Sequence, residues 1–205
     1  MYKSFIKRLI DIILAGLGIL VLGIPMLIIA VIIKVEDPGP ALFEQKRIGI
    51  HKKHFTLYKF RSMKLSTPHD MPTHMLQNPE QYILKSGKIL RRLSMDELPQ
   101  LFNILKGDMS IIGPRPALWN QDDLVAERDK YGANDVLPGL TGWAQINGRD
   151  ELEIPIKAKL DGEYVEKMSF VMDVRCFFLT VGKVLKSDGV VEGGTGEMKK
   201  KEKKG

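Results

Sequence analysis

From Ile12 to Ile33 every residue is apolar, Gly or Pro, and about 20 such residues suffice to cross a bilayer core as helix. The pattern predicts a membrane helix. A cleaved leader is disfavoured, because its apolar stretch would end after about 7–15 residues at a small-x-small site, and Ile33-Lys34-Val35-Glu36-Asp37 offers none. Lys3, Lys7 and Arg8 precede the run, and Lys34, Lys46, Arg47, Lys52 and Lys53 follow it, so both flanks carry the charge that stays on the cytoplasmic side. Pro25, with Gly23 near it, removes a backbone hydrogen bond and kinks the helix. A helix that enters, bends at Pro25 and returns reconciles flanks and kink. The expectation is a re-entrant, monotopic anchor; the alternative is a Pro-kinked single crossing.

After the turn Asp37-Pro38-Gly39-Pro40, the stretches Ala41 to Ile48 and His54 to Phe60 read as two short strands around a basic turn, a β-hairpin. Ser66 to Gln81 is polar and carries Pro68, Pro72 and Pro79, which predicts a surface loop; His69 and His74 fall there as solvated side chains. Helices are expected at Tyr82 to Arg92, Pro99 to Leu105 and Asp122 to Tyr131. Apolar residues from Ser169 to Leu185 cover more than one stripe, punctuated by Arg175 and Lys183. That suits a buried core helix or an amphipathic helix lying at the membrane interface. The predicted fold is α+β and mainly helical: a re-entrant helix kinked at Pro25, a small hairpin, short helices and interfacial amphipathic helices. The chain divides into a membrane anchor (1–36), a catalytic domain on the cytoplasmic face (37–190) and a basic, disordered tail (191–205).

At 205 residues and 44% hydrophobic content the chain holds one sizeable core. Its formal charge of +6 and pI near 9.3 suit an anionic partner: a phosphorylated substrate, an anionic membrane or nucleic acid. Nucleic acid is set aside, since the basic residues are scattered and form no reading motif. Cys176, the single cysteine, excludes an intrachain disulfide and reads as a buried thiol in an apolar run.

The stretch Ser94-Met95-Asp96-Glu97-Leu98-Pro99-Gln100-Leu101-Phe102-Asn103 carries adjacent carboxylates beside a helix start. There the helix dipole and free N–H groups keep a carboxylate ionised, as a nucleophile or metal ligand requires. Ser94-x-x-Glu97 is also a capping box, the commoner origin of such a pattern. A membrane-bound module that only binds nucleotide or anionic lipid would use the pair for capping alone.

Lys59-Phe60-Arg61-Ser62-Met63, the Ser94–Asn103 stretch, Lys106-Gly107-Asp108-Met109-Ser110-Ile111-Ile112-Gly113-Pro114-Arg115-Pro116 and Pro138-Gly139-Leu140-Thr141-Gly142-Trp143-Ala144-Gln145-Ile146-Asn147-Gly148-Arg149 follow the anchor in that order. Together they resemble the bacterial sugar transferase family, the small monotopic phosphoglycosyl transferases that start glycoconjugate assembly at the bacterial inner membrane. The resemblance implies transfer of a phosphosugar from a UDP-sugar to polyprenyl (undecaprenyl) phosphate, with release of UMP and dependence on Mg2+. It implies Asp96 as nucleophile in a ping-pong reaction through a phosphosugar-aspartate. Asp96 and Glu97 would be the metal and catalytic pair, and Lys59, Arg61, Arg115, Asn147 and Arg149 the substrate-binding set. Membrane lipid is a partner on this reading, and downstream glycosyltransferases and a second copy of the chain are compatible with it. Two positions depart from the family pattern: Leu137 stands where an Arg is frequent, and Ile24 where a Ser often precedes the Pro.

Overall fold

The computed structural model describes residues 2–67, 79–148 and 152–185. His69, His74, Arg149 and the tail lie outside them. Helix α1 (Lys7–Glu36), preceded by a π-helical turn at Tyr2–Ile6, contains Pro25 within its length. At 1.5 Å per residue its 30 residues reach about 45 Å. It is the one helix among the described residues long and apolar enough to cross a membrane. A core helix of a soluble protein would be mostly buried, whereas only 17% of its most apolar window is covered.

What is covered forms a single stripe. Lys7, Asp11, Ala15, Met26, Ile29 and Ile33 are buried, with Ile19, Leu22 and Ala30 half-buried between them, the spacing of one helical face. Leu20, Val21, Ile24, Leu27, Val31 and Val35 point outward. The stripe lies on the rest of the protein along the whole helix, and both ends are tied to it. At the start, Lys7 Nζ donates to Asp173 Oδ2 at 2.7 Å. Arg8 donates to the carbonyls of Ile104 and Leu105, and Asp11 Oδ1 accepts from the Ile111 N–H at 3.0 Å. At the far end, Arg61 donates to Asp37, and Glu36 accepts from the backbone N–H groups of Lys85 and Ser86. Those two N–H groups open helix α2 (Lys85–Arg92), which has no cap of its own from Leu84 and is capped instead from a distance.

The expected hairpin is present: β1 (Leu42–Ile48) pairs antiparallel with β2 (His54–Phe60), in register from Leu42 opposite Phe60 to Ile48 opposite His54. A short strand β4 (Ala117–Leu118) extends it along the other edge of β1, and β3 (Ser110–Ile112) pairs in parallel with β5 (Gly139–Thr141). Helices α3 (Gln100–Lys106) and α4 (Asp122–Asp129) fall where expected. Two more, α5 (Trp143–Asn147) and α6 (Ile154–Lys167), were not anticipated. Helix α7 (Phe170–Leu185) has a buried face, with Met172 and Cys176 in the core, and an exposed apolar one, with Phe170, Val171 and Phe178 outward. Burial pushes the Cys176 thiol up to about 11, with Asp173 adding to the rise, so it is an inert core group.

Candidate active site

The carboxylate pair sits on a single 3-10 turn, Met95–Glu97, between α2 and α3. Ser94 enters it at φ 54, ψ 23, a left-handed conformation costly for a residue with a Cβ that reverses the chain. Met95 and Leu98 then pack into the cluster of Ile33, Phe60 and Leu84, leaving Asp96 and Glu97 facing a cavity. The anticipated capping box does not form. Ser94 makes no side-chain cap; its N–H donates to the Arg91 carbonyl at 3.1 Å and its carbonyl accepts from the Glu97 N–H at 3.3 Å. Energetics explain the difference. Glu97 Oε1 accepts from Lys59 Nζ and from Arg115 Nη2, each at 2.9 Å. Hydrogen bonds between charged groups contribute about 1.5–3 kcal/mol apiece, against about 1 kcal/mol for a cap.

Each partner is placed by a different motif. Lys59 lies on β2, and Asn103, fully buried on α3, locks that strand to the helix: its Oδ1 accepts from the Tyr58 N–H at 3.0 Å and its Nδ2 donates to the Thr56 carbonyl at 2.7 Å. Asn103 thus sets the distance between Lys59 and the carboxylate turn. Arg115 follows β3 between two prolines, and Arg47 holds the following residue by donating to the Pro116 carbonyl. The motif leading to Arg115 packs backbone to backbone on the motif after Pro138. A Cβ on Gly113 would come within 2.5 Å of the Leu137 carbonyl oxygen, and one on Gly142 within 2.0 Å of the Gly113 oxygen. Glycine is required at both positions because no side-chain carbon fits there.

The cavity, about 410 Å³, has a polar wall of Lys59, Arg91, Asp96, Glu97 and Arg115. Ile111, Leu140, Phe177, Val181 and Val184 also line it, as do Thr141, Gln145, Thr180 and Lys183. The two carboxylates differ electrically. Burial pushes the Asp96 carboxyl above its ordinary range, Glu97 reinforcing this and Lys59, Arg91 and Arg115 pulling against it. For Glu97 burial acts in the same sense, but Arg115 and Lys59 outweigh it and hold the group well below the usual carboxylate range. Glu97 is therefore a fixed anion. Among the described residues none donates a hydrogen bond to the Asp96 carboxyl, which stands open to the cavity.

The predicted site residues separate. Asp96, Glu97, Lys59 and Arg115 come together. Arg61 does not join them: it is 5% exposed and bound to the Asp37 side chain and carbonyl, so it fastens the end of α1 instead of aiming with Lys59. Asn147, exposed on α5, donates to the Trp143 carbonyl at 2.8 Å and does not line the cavity, whereas its neighbours Gln145 and Ile146 do. Arg91 went unnoticed in the sequence, although the pair Arg91-Arg92 just ahead of two carboxylates was a usable signal; here its Nε donates to Ser62 Oγ at 2.9 Å. Among the described residues no three of His, Cys, Asp and Glu gather as a metal cage. The adjacent Asp96 and Glu97 suit a cation such as Mg2+, which needs only one or two carboxylates when phosphate oxygens and water complete its shell.

A carboxylate turn beside several cations, in a chain with a long outward-facing apolar helix, marks a membrane protein whose cavity suits an anionic ligand. The family model for bacterial sugar transferases matches residues 2–187, and the chain belongs to that family. It is 41% identical over 185 residues to the uncharacterised sugar transferase EpsL of Bacillus subtilis, covering 90% of each chain. It is 40% identical over 194 residues to the UDP-glucose:undecaprenyl-phosphate glucose-1-phosphate transferase of Escherichia coli. A third relative, 39% identical over 195 residues, is the UDP-N-acetylgalactosamine-undecaprenyl-phosphate N-acetylgalactosaminephosphotransferase of Aeromonas hydrophila. The chain spans 40% and 45% of the lengths of these last two.

Proposed function

We propose that this protein transfers a phosphosugar from a UDP-sugar to undecaprenyl phosphate, releasing UMP, as the first membrane step of glycoconjugate assembly. The observation that carries the reading is Asp96, a carboxylate to which none of the described residues donates a hydrogen bond, lining a cavity with Lys59, Arg91 and Arg115. The activities named for the Escherichia coli and Aeromonas hydrophila relatives support the choice of donor and acceptor.

Asp96, ionised, attacks the sugar-linked phosphorus of the donor. A new bond forms from its carboxylate oxygen to phosphorus, and the diphosphate bridge breaks with its electron pair leaving on UMP. An oxygen of the acceptor phosphate then attacks the same phosphorus, the bond to Asp96 breaks, and the carboxylate is restored. Splitting the reaction in this way gives ping-pong kinetics. Anion meets anion in both halves, so positive charge must be in place beforehand. Lys59 and Arg115 supply it, stored on Glu97 until a diphosphate competes for them. Glu97 and Asp96 would hold Mg2+, which neutralises charge on the diphosphate.

The membrane disposition belongs to the same proposal: α1 is a re-entrant, monotopic anchor, bending at Pro25, on the cytoplasmic face of the bacterial inner membrane. Its support is the covered stripe and the ties at Lys7, Asp11, Glu36 and Asp37, which keep both ends of α1 on the same body. The test uses full-length protein in nanodiscs with undecaprenyl phosphate, Mg2+ and a panel of UDP-sugars, measuring UMP. Asp96→Asn should lower release by about a thousandfold or more. Activity retained in that variant, or no UMP from any donor with the wild type, defeats the assignment.

A further inference from the structure

We infer that Lys183 on α7 binds the phosphate of the lipid acceptor, and that Phe177, Val181 and Val184 form the wall along which its prenyl chain enters. The inference rests on the phosphosugar-transfer reading and assigns it an acceptor side. In that reaction the two substrates differ in kind: one is a soluble nucleotide sugar, the other a phosphate on a long hydrocarbon. The cavity shows a matching division.

Phe177, Thr180, Val181 and Val184 recur at the spacing of one helical face and all line the cavity. Phe177 and Val181 are also 44% and 40% exposed, so they are shared between the cavity wall and the outer apolar surface that α7 forms with Phe178 and Leu179. These side chains offer a hydrocarbon apolar contact both outside and inside the cavity, which removal of its chain from water favours.

The phosphate head needs a cation that is available when it arrives. Lys59 and Arg115 are engaged by Glu97, and Arg91 by Ser62. Half-buried Lys183 lines the same cavity, and among the described residues no hydrogen bond or ion pair holds it. It lies one turn beyond Thr180 and next to Val184, both of which line the cavity, so a phosphate bound there has the apolar residues of the same helix within reach of its chain. Thr180 fixes the local geometry, since its hydroxyl meets that of Thr141 at 2.9 Å and donates to the Cys176 carbonyl at 2.8 Å.

Two-step chemistry makes the assignment separable from the donor site. Full-length protein is placed in nanodiscs of neutral phosphatidylcholine, or of the same lipid with anionic phosphatidylglycerol. UMP release is measured with donor alone, then against graded undecaprenyl phosphate. Lys183→Gln should raise the acceptor KM about tenfold, the scale of one charge-assisted hydrogen bond, in both membranes. It should leave the UMP burst with donor alone unchanged, and Lys183→Arg should restore the KM. An unchanged acceptor KM overturns the inference. So does an effect confined to anionic nanodiscs, which would make Lys183 a contact for membrane headgroups, and so does a burst that falls in parallel. Wild-type protein that releases no UMP without acceptor refutes the two-step reading itself, while the acceptor KM still decides Lys183.

Discussion

The seating of the amino-terminal end of α1 depends on one carboxylate. Asp173 is 9% exposed and Lys7 8%. Oδ2 of Asp173 accepts from Lys7 at 2.7 Å and from the Tyr2 hydroxyl at 2.6 Å, and Oδ1 accepts from Tyr164 at 2.7 Å. At that separation two unit charges attract by ~6 kcal/mol in an effective dielectric near ~20, most of which offsets their loss of water. Removing one partner forfeits the attraction and leaves the desolvation, a cost of ~3–5 kcal/mol. Asp173→Asn and Lys7→Met should each destabilise the full chain by about that amount in urea unfolding in detergent micelles. Lys7→Met combined with Asp173→Asn should cost less than the sum by ~2 kcal/mol, because no lone charge stays buried. Additive single effects, within ~0.5 kcal/mol, would refute the pairing. The same experiment bears on the membrane: a helix that crossed would carry Lys7 away from Asp173, both single variants would be silent, and cysteines at Tyr2 and Asp37 would label from opposite faces of sealed vesicles.

Two further outcomes concern the chemistry. Attack requires ionised Asp96, and burial raises its pKa. The acid limb of the rate should therefore lie above the ordinary aspartate value of about 3.9, with activity lost below it as Asp96 takes up a proton. Lys59 pulls that pKa down and Glu97 pushes it up, so Lys59→Met should move the limb to higher pH and Glu97→Gln to lower pH; limbs that stay in place identify another group. Chelation of divalent cations by EDTA should stop UMP release, and added Mg2+ should restore it; release undiminished by EDTA removes the metal from the mechanism.

The parts of the fold legible in the sequence were those with a strong local signal: the apolar run of α1, the two short runs β1 and β2 on either side of a Gly-containing basic turn, and the dense apolar pattern of α7. Strands β3, β4 and β5, of three, two and three residues, are too short to show a period and exist because their partners hold them. Helix α6 was hidden for another reason. Its buried face includes Asp161, paired with Arg128 of α4 at 2.6 Å, so a charged position there is interior and the apolar stripe looks broken. At the site, the order of motifs marked Asp96, Glu97, Lys59 and Arg115, all of which meet. Local spacing misjudged Arg61, since its partner Asp37 lies 24 residues away and only the closed fold brings them together. Ser94-x-x-Glu97 misled similarly, because two distant cations outbid a local cap. Lys183 was seen only as an interruption of an apolar helix; its meaning depends on the cavity that α7 faces.

Helix α7 joins the two halves of the reading. Asp173, which seats the start of α1, and Lys183, which faces the carboxylates, are ten residues apart on it, about 15 Å along a rigid rod. The element that ties down the start of α1 is thus also the one that supplies the proposed acceptor wall, and on the proposed function depth in the bilayer and access to Asp96 would be set together. A protein of this kind must bring a lipid-bound phosphate to a carboxylate without drawing the chain out of the membrane. If α1 is the proposed re-entrant anchor, holding it and the proposed acceptor wall on one helix would set the height of the cavity mouth against the bilayer and let the prenyl chain remain in hydrocarbon. A lesion at Asp173 should consequently raise the acceptor KM before it alters donor use, although Asp173 does not line the cavity; donor and acceptor KM that rise together would refute the coupling.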